Sequence, residues 1–351
     1  MRKEYRTLMA TYDFLFSSLG LTEWCAEGKS DAPMSMAALL NKSKGTEAEQ
    51  SLWDVPFPSM DALNDSCAAF PQSRELTQGL EQGFLAVKDN LSIVLDPITQ
   101  PLSWALDGTL YGMITTPWWI VIPILLAVVL LVTKSWKLVG FVAGSLCLLA
   151  FIDYYIYAMQ TLAIIFVCAF ICVLLGVPIG IAMSRNNMMQ RLTIPVLDML
   201  QTLPPFVYLI PLIFLFSVTE SKLYGIAIIL YAIVPVIRMT NLGIRLVDPD
   251  VIEAANAFGM TSRQKLYKVQ IPLALPNIMA GVNQTIMMSL AMVVIASLVS
   301  APGLGVLVLQ GIRNLELGVG LVAGLGIVIL AVILDRVTKA SLARINASQK
   351  Q

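Results

Sequence analysis

Hydrophobic and polar positions are unevenly distributed along this chain. Residues 1–75 are mixed, with Ser, Asp, Glu and Pro scattered among short apolar runs. The opening Met1-Arg-Lys-Glu-Tyr-Arg6 has the charge of a signal-peptide n-region, but Asp13 interrupts the apolar run that should follow, so no cleaved signal is read. Between Gly79 and Leu95, Leu80, Phe84, Val87, Leu91 and Val94 recur at three- and four-residue spacing, which predicts an amphipathic helix. Leu102 to Leu110 reads as another, lying along a membrane surface or against the protein's own outer face. Long apolar segments then follow at Trp118–Val132, Leu138–Ile152, Thr161–Met183, Pro205–Val218, Tyr224–Ile237, Ile278–Ser300 and Gly318–Leu334. A bilayer crossing needs about 20 residues, and Trp118, Trp119, Tyr154, Tyr155 and Tyr157 extend the shorter runs into the interfaces. The pattern predicts an all-α polytopic membrane protein of about seven spans. It has a tail over 1–110, a membrane domain over 111–340 and a short end over 341–351.

One polar interruption stands out, within the loop 238–275. It runs from Asp250 to Pro272 between two apolar segments. Asp250 with Glu253 reads as an N-cap followed by an acid that reaches back, and Gly259 as the left-handed residue ending the helix. Thr261 with Gln264 reads as a second capping box. Ile271 precedes Pro272 and is pushed from helical backbone, so the second helix is expected to stop there. The expected product is two short helices at a glycine elbow, with Phe258 and Met260 beside the bend. On these residues alone the segment is equally a docking knob and a helical loop between spans, because capping boxes are common.

Composition narrows the function classes. Of 351 residues, 57% are hydrophobic and 13% charged, with a mean hydropathy of +0.76, too apolar for a soluble globular protein. There is no histidine, which excludes histidine-based catalysis and metal ligation, and the five cysteines lack metal-ligand spacing. Cys147, Cys168 and Cys172 fall in apolar segments as packing residues, whereas Cys25 and Cys67 are free to pair if the tail is exported. The chain carries no phosphate-cradling Gly-rich loop ending in Gly-Lys-Ser/Thr, so it is not expected to hydrolyse ATP. No catalytic residue, metal, resident cofactor or nucleic-acid partner is read from it.

Net charge is zero, but residues 1–110 hold 15 acidic and 8 basic residues, a net of −7, which leaves +7 for the remainder. Counted by segment, the loops after the first, third, fifth and seventh spans carry thirteen Lys and Arg, from Lys134 to Lys350. The others carry Lys222 and Arg313. Positive charge stays in the cytoplasm, which places the elbow and 341–351 inside and the acidic tail outside.

Polar groups within the spans are few. Asp198 is close in sequence to Arg191, a candidate pair. Gln201-Thr202-Leu-Pro204-Pro205-Phe-Val-Tyr208-Leu-Ile-Pro211 frees backbone carbonyls at its prolines. Gln201, Thr202, Pro204, Pro205 and Tyr208 are therefore candidate pathway residues, together with the polar stripe Asn283, Gln284 and Ser289. Kink packing and interhelical hydrogen bonding are the competing readings. The near absence of ionisable groups at depth argues against an ion-coupled secondary transporter or channel, the rival class; a structural anchor is a third.

Glu253-Ala254-Ala255, three residues, Gly259, nine residues, then Val269-x-Ile271-Pro272 resembles the EAA signature of ABC importer permeases. From about residue 100 to 340, stretches such as Asp198–Pro211, Ile278–Thr285 and Gly324–Arg336 resemble permease subunits of ProU-type glycine betaine/proline betaine uptake systems. The resemblance implies a type I ABC importer (MetI-like) fold in the bacterial inner membrane, with two copies of this chain embedded among membrane lipids. It implies two ATP-binding cassette ATPase subunits that bind ATP and Mg and receive the elbow in a cleft. Coupling then falls to Glu253, Ala254, Ala255, Phe258, Gly259, Met260, Val269, Ile271 and Pro272. The chain ends shortly after its last apolar segment, so the substrate-binding protein, periplasmic or lipid-anchored, is expected as a separate chain. Choline or carnitine is the alternative cargo.

Overall fold

The computed structural model describes residues 57–67 and 69–349, together with 16, 19–21 and 25. The reading of Met1–Arg6 and Asp13 lies outside these residues. The chain forms two compact units, Met1–Asn90 and Leu91–Gln351, dividing earlier than the boundary at 110 read from the sequence.

In the first unit, α1 spans Met60–Ser66 and Cys67 is joined to Cys25 by a disulfide, with Cα atoms 4.8 Å apart. The two cysteines left free to pair if the tail is exported are joined. Asp61 accepts hydrogen bonds from Ser73 N and Oγ, each at 2.9 Å on Oδ1, at the start of α2 (Ser73–Thr115). These bonds, the backbone one first, hold the Asp61 carboxyl below its ordinary value.

The periodic runs 79–95 and 102–110 belong to this single helix α2, which passes through Pro97 and Pro101 without ending. Its second half settles one open reading. Leu102, Leu106 and Leu110 are buried at four-residue spacing, and Leu102 and Leu106 lie over Gly225, where a Cβ would stand 2.6 Å from Leu106 Cδ1. The second unit continues with α3 (Trp118–Thr133), α4 (Trp136–Phe151), α5 (Tyr155–Arg185), α6 (Asn187–Thr202) and α7 (Leu209–Leu215), and then with α8 (Ser221–Arg245). The short α9 (Pro249–Ala257) and α10 (Ser262–Lys265) come next, then α11 (Ile271–Ala296), α12 (Leu304–Arg313) and α13 (Leu317–Gln349).

All seven apolar segments fall on helices, but not all as straight spans. Tyr155–Arg185, Ser221–Arg245, Ser262–Val299 and Leu317–Arg344 are long and apolar enough to cross a membrane. α2 with α3, and α6 with the segment Pro205–Leu215, pass only as pairs bent by 118° and 104°. The expected fourth span, Pro205–Val218, is a 3-10 turn (Pro205–Tyr208) followed by the seven residues of α7. Pro204 and Pro205 supply no N–H, and Leu203 ahead of them is extended at φ −68°, ψ 133°, so the ladder breaks there.

α5, α8 and α11 form the centre, packed backbone to backbone at small residues. A Cβ on Gly180 would stand 2.6 Å from Thr240 Cβ and 2.7 Å from Ile237 O, and one on Gly281 would stand 2.8 Å from Met239 Cβ. Charge is admitted where paired. Lys222 is buried at the start of α8, 2.7 Å from Asp96 of α2 and 3.1 Å from Glu220, with its ammonium 5.2 Å from the Phe216 ring centroid.

Candidate functional site

The elbow is built as two capped helices, two residues earlier than expected at its start. Pro249 occupies the first helical position, where its missing N–H costs nothing, and Asp248 is the N-cap, accepting from Asp250 N at 2.9 Å. Asp250 is therefore inside the helix, and the Asp250–Glu253 capping box does not form. Glu253 lies in the second turn, exposed.

The end of α9 matches expectation. Gly259 has φ +71°. Met260 N donates to Ala255 O at 3.1 Å and Gly259 N to Asn256 O at 2.9 Å, the paired bonds of a Schellman motif. Thr261 and Gln264 then form the full capping box, with Thr261 N to Gln264 Oε1 at 2.9 Å. Lys265 Nζ donates to Asn256 Oδ1 at 2.9 Å and braces the two helices across the bend. Ala254 and Phe258 are exposed, Phe258 by 84%, while Ala255 is buried and Met260 half-buried. The knob thus presents Glu253, Ala254 and an aromatic ring outward.

The second helix does not stop before Pro272. Ile271 is helical at φ −64°, ψ −47°, and Pro272 sits in the first turn of α11. A π-turn over Leu266–Gln270, containing Val269, widens the helix ahead of the proline, so the backbone continues where a regular α-ladder meets the ring. Ser262 to Val299 consequently form one helical run. Its root is fixed by the buried cluster of Leu266, Ala274 and Ile278 with Ile244 of α8, against which Val177, Ile181 and Ile271 pack. Arg245, at the end of α8, donates to Met183 O and Asn187 Oδ1, both at 2.9 Å, which ties the approach to the elbow onto α5 and α6.

The candidate pathway residues divide. Tyr208 is buried in the core, its hydroxyl bonded to Leu203 O at 3.4 Å across the proline break. Gln201 and Pro205 are half-buried, and Thr202 and Pro204 exposed, on the same break. On α11, Asn283 donates to Asp335 Oδ1 of α13 at 3.1 Å and accepts from Thr338 Oγ1. That is the interhelical reading. Gln284 is exposed, and Ser289 is fully buried without a hydrogen-bond partner, as is Thr285 one turn before it. The 3-10 turn with Pro205 and Tyr208 packs against α11. Asp198 pairs with Arg238 of α8, not with Arg191. Arg238, Asp335, Thr338 and Arg245 were not singled out from the sequence. The signal was there in part: Asp335 with Lys339 has the four-residue spacing of a helical ion pair.

A family model described as binding-protein-dependent transport system inner membrane component matches residues 173–347, from within α5 through the elbow to α13. The chain is 38% identical over 298 residues to the glycine betaine/proline betaine transport system permease protein ProW of Escherichia coli strain K12, covering 82% of this chain and 81% of that protein. It is 40% identical over 271 residues to the glycine betaine/carnitine transport permease protein GbuB of Listeria monocytogenes serotype 1/2a strain 10403S, covering 76% and 92%. It is also 40% identical over 271 residues to the glycine betaine transport system permease protein OpuAB of Bacillus subtilis strain 168, covering 73% and 94%.

Proposed function

The chain belongs to the binding-protein-dependent transport system permease family, and on that premise we propose that it imports glycine betaine and related osmolytes across the bacterial inner membrane. It is a multi-pass permease subunit with the helical architecture of type I ABC importers, and not an enzyme. Two copies line one pathway, two ATPase subunits bind ATP and Mg and grip the elbows from the cytoplasm, and a separate binding protein delivers substrate outside. The observation that carries the reading is the continuity of the elbow with the long helix Ser262–Val299. A knob joined to a spanning helix without a flexible break transmits displacement instead of absorbing it. ATP binding draws the ATPases together, moves both elbows, and tilts the helices between inward- and outward-facing arrangements.

A betaine carries balanced charges, which suits a pathway of amides, hydroxyls and aromatic faces. Gln201, Thr202, Gln284 and Ser289 remain the pathway candidates, with Pro204 and Pro205 shaping the wall. Asn283 is engaged with α13, and Tyr208 stabilises the break. Carnitine is a second cargo, favoured by the Listeria relative's name.

The test is reconstitution of the chain with its ATPase in liposomes, with binding protein and labelled betaine outside and ATP inside. Expected is uptake that requires both ATP and binding protein and survives ionophores. Uptake driven by an ion gradient without ATP would replace this reading with a secondary transporter.

A further inference from the structure

A basic pocket stands where α13 meets the turn between α3 and α4. It holds about 440 Å³, walled by Ser135, Lys137, Leu138 and Phe141 on one side and Arg336, Lys339 and Ala340 on the other. Three cations share the space. Lys339 is 2.8 Å from Asp335, while Lys137 and Arg336 form no ion pair within 4 Å among the described residues, although the Arg336 charge also acts on Asp335. The walls are held in place. Arg344 donates to Leu131 O and Val132 O at 2.7 and 3.0 Å, capping the last turn of α3 and pinning the end of α13 beside the turn. The charge has an apolar floor, since Leu138, Phe141 and Ala340 line the same pocket.

Position decides between ligands. α13 is apolar enough to cross a membrane over Leu317–Arg344, and α3 and α4 are apolar apart from Lys137 in the first turn of α4, so the pocket sits where spans end. There a phospholipid places a phosphate at the surface and acyl chains below it. Basic pockets between helix ends recognise anionic headgroups, and the guanidinium fork matches two phosphate oxygens. Free phosphate shares the anion but leaves Leu138 and Phe141 without a partner.

We propose that Lys137, Arg336 and Lys339 form a binding site for the phosphate of an anionic phospholipid, its acyl chain lying on Leu138 and Phe141. Arg336 supplies the directional contact and Lys137 closes the opposite side. A lipid held there bridges α4 to α13, the last helix of the membrane domain.

The experiment measures binding of fluorescent dioleoyl phosphatidylglycerol to the purified full chain in neutral detergent, with dioleoyl phosphatidylcholine as the uncharged comparison. The double variant Lys137→Gln/Arg336→Gln alters exposed side chains, and Lys137→Arg/Arg336→Lys keeps their charge. Expected is saturable phosphatidylglycerol binding that the Gln pair weakens by on the order of 30-fold. The charge-keeping pair should weaken it far less, and Arg185→Gln/Arg191→Gln, equal in charge but elsewhere, not at all. Millimolar inorganic phosphate should not displace the lipid. The proposal falls if the Lys137/Arg336 Gln pair binds phosphatidylglycerol as wild type does, or if phosphatidylcholine binds equally well. It also falls if the Arg185/Arg191 pair loses as much, or if inorganic phosphate competes fully. Loss of ATPase co-purification with lipid binding intact would instead assign the pocket to a protein.

Discussion

At the scale of single residues, Gly259 separates strain from contact. Its φ of +71° favours glycine, yet an added Cβ would meet nothing within 4 Å. Gly259→Ala therefore carries only the backbone term, about 1 kcal/mol, and should leave uptake within a few-fold of normal. Gly259→Asp adds charge and bulk at the outer surface of the knob. Its expected phenotype is normal insertion with uptake and ATPase co-purification both reduced at least about tenfold, a difference of about 1.4 kcal/mol or more. Near-normal uptake by the Asp variant would remove the elbow from the coupling path. Glu253→Lys tests the same surface differently. Glu253 lies in the second turn, beyond the cap made by Asp248, so charge reversal there does little to the helix. A coupling defect in this variant reports on the ATPase contact itself.

At the scale of elements, the close approach of α5, α8 and α11 makes a prediction independent of function. At Gly281 an added Cβ would stand 2.8 Å from Met239 Cβ, 3.1 Å from Val236 Cα and 3.2 Å from Pro235 O, two of them backbone atoms that cannot swing aside. Gly281→Leu should destabilise by about 1–3 kcal/mol as an overpacked site, read as a lower unfolding midpoint in detergent and a lower yield. An unchanged midpoint would mean that α8 and α11 separate at little cost. Helix existence was legible in the sequence because apolar runs, Gly259 and the Thr261–Gln264 box are local signals. The continuity through Pro272 was not, because pre-proline restriction is a local bias and the π-turn that overrides it is anchored by Leu266 against Ile244 and Ile278. Asp248 rather than Asp250 caps the helix because Pro249 fits the first helical position, a local signal the sequence also carries. The partners of Asn283 and Asp198 lie 52 and 40 residues away, and no periodicity within one helix reports a contact between two.

At the scale of the whole molecule, the distribution of charge and the distribution of covalent bonds point the same way. Residues 1–110 carry a net of −7 and the rest +7, and the positive-inside rule expects the basic loops on the elbow's side. The disulfide between Cys25 and Cys67 lies in the acidic part, and disulfides persist in oxidising compartments. Both observations lead to the expectation that residues 1–110 lie outside and the elbow inside. The disulfide also shapes the test, since Cys147, Cys168 and Cys172 are the free thiols and can be replaced while Cys25 and Cys67 stay. In that background, Glu81→Cys and Arg263→Cys each add one exposed thiol. A membrane-impermeant maleimide applied to spheroplasts should label position 81 and not position 263. After permeabilisation it should label both. Reducing the sample first should add labelling from outside, chiefly at the half-buried Cys25, since Cys67 is buried. Labelling of position 263 in intact spheroplasts would invert the topology and leave the knob facing away from any ATPase. Failure to label 81 would put the acidic segment inside, where its disulfide would be exposed to thiol reductants and the charge asymmetry would run against the orientation rule.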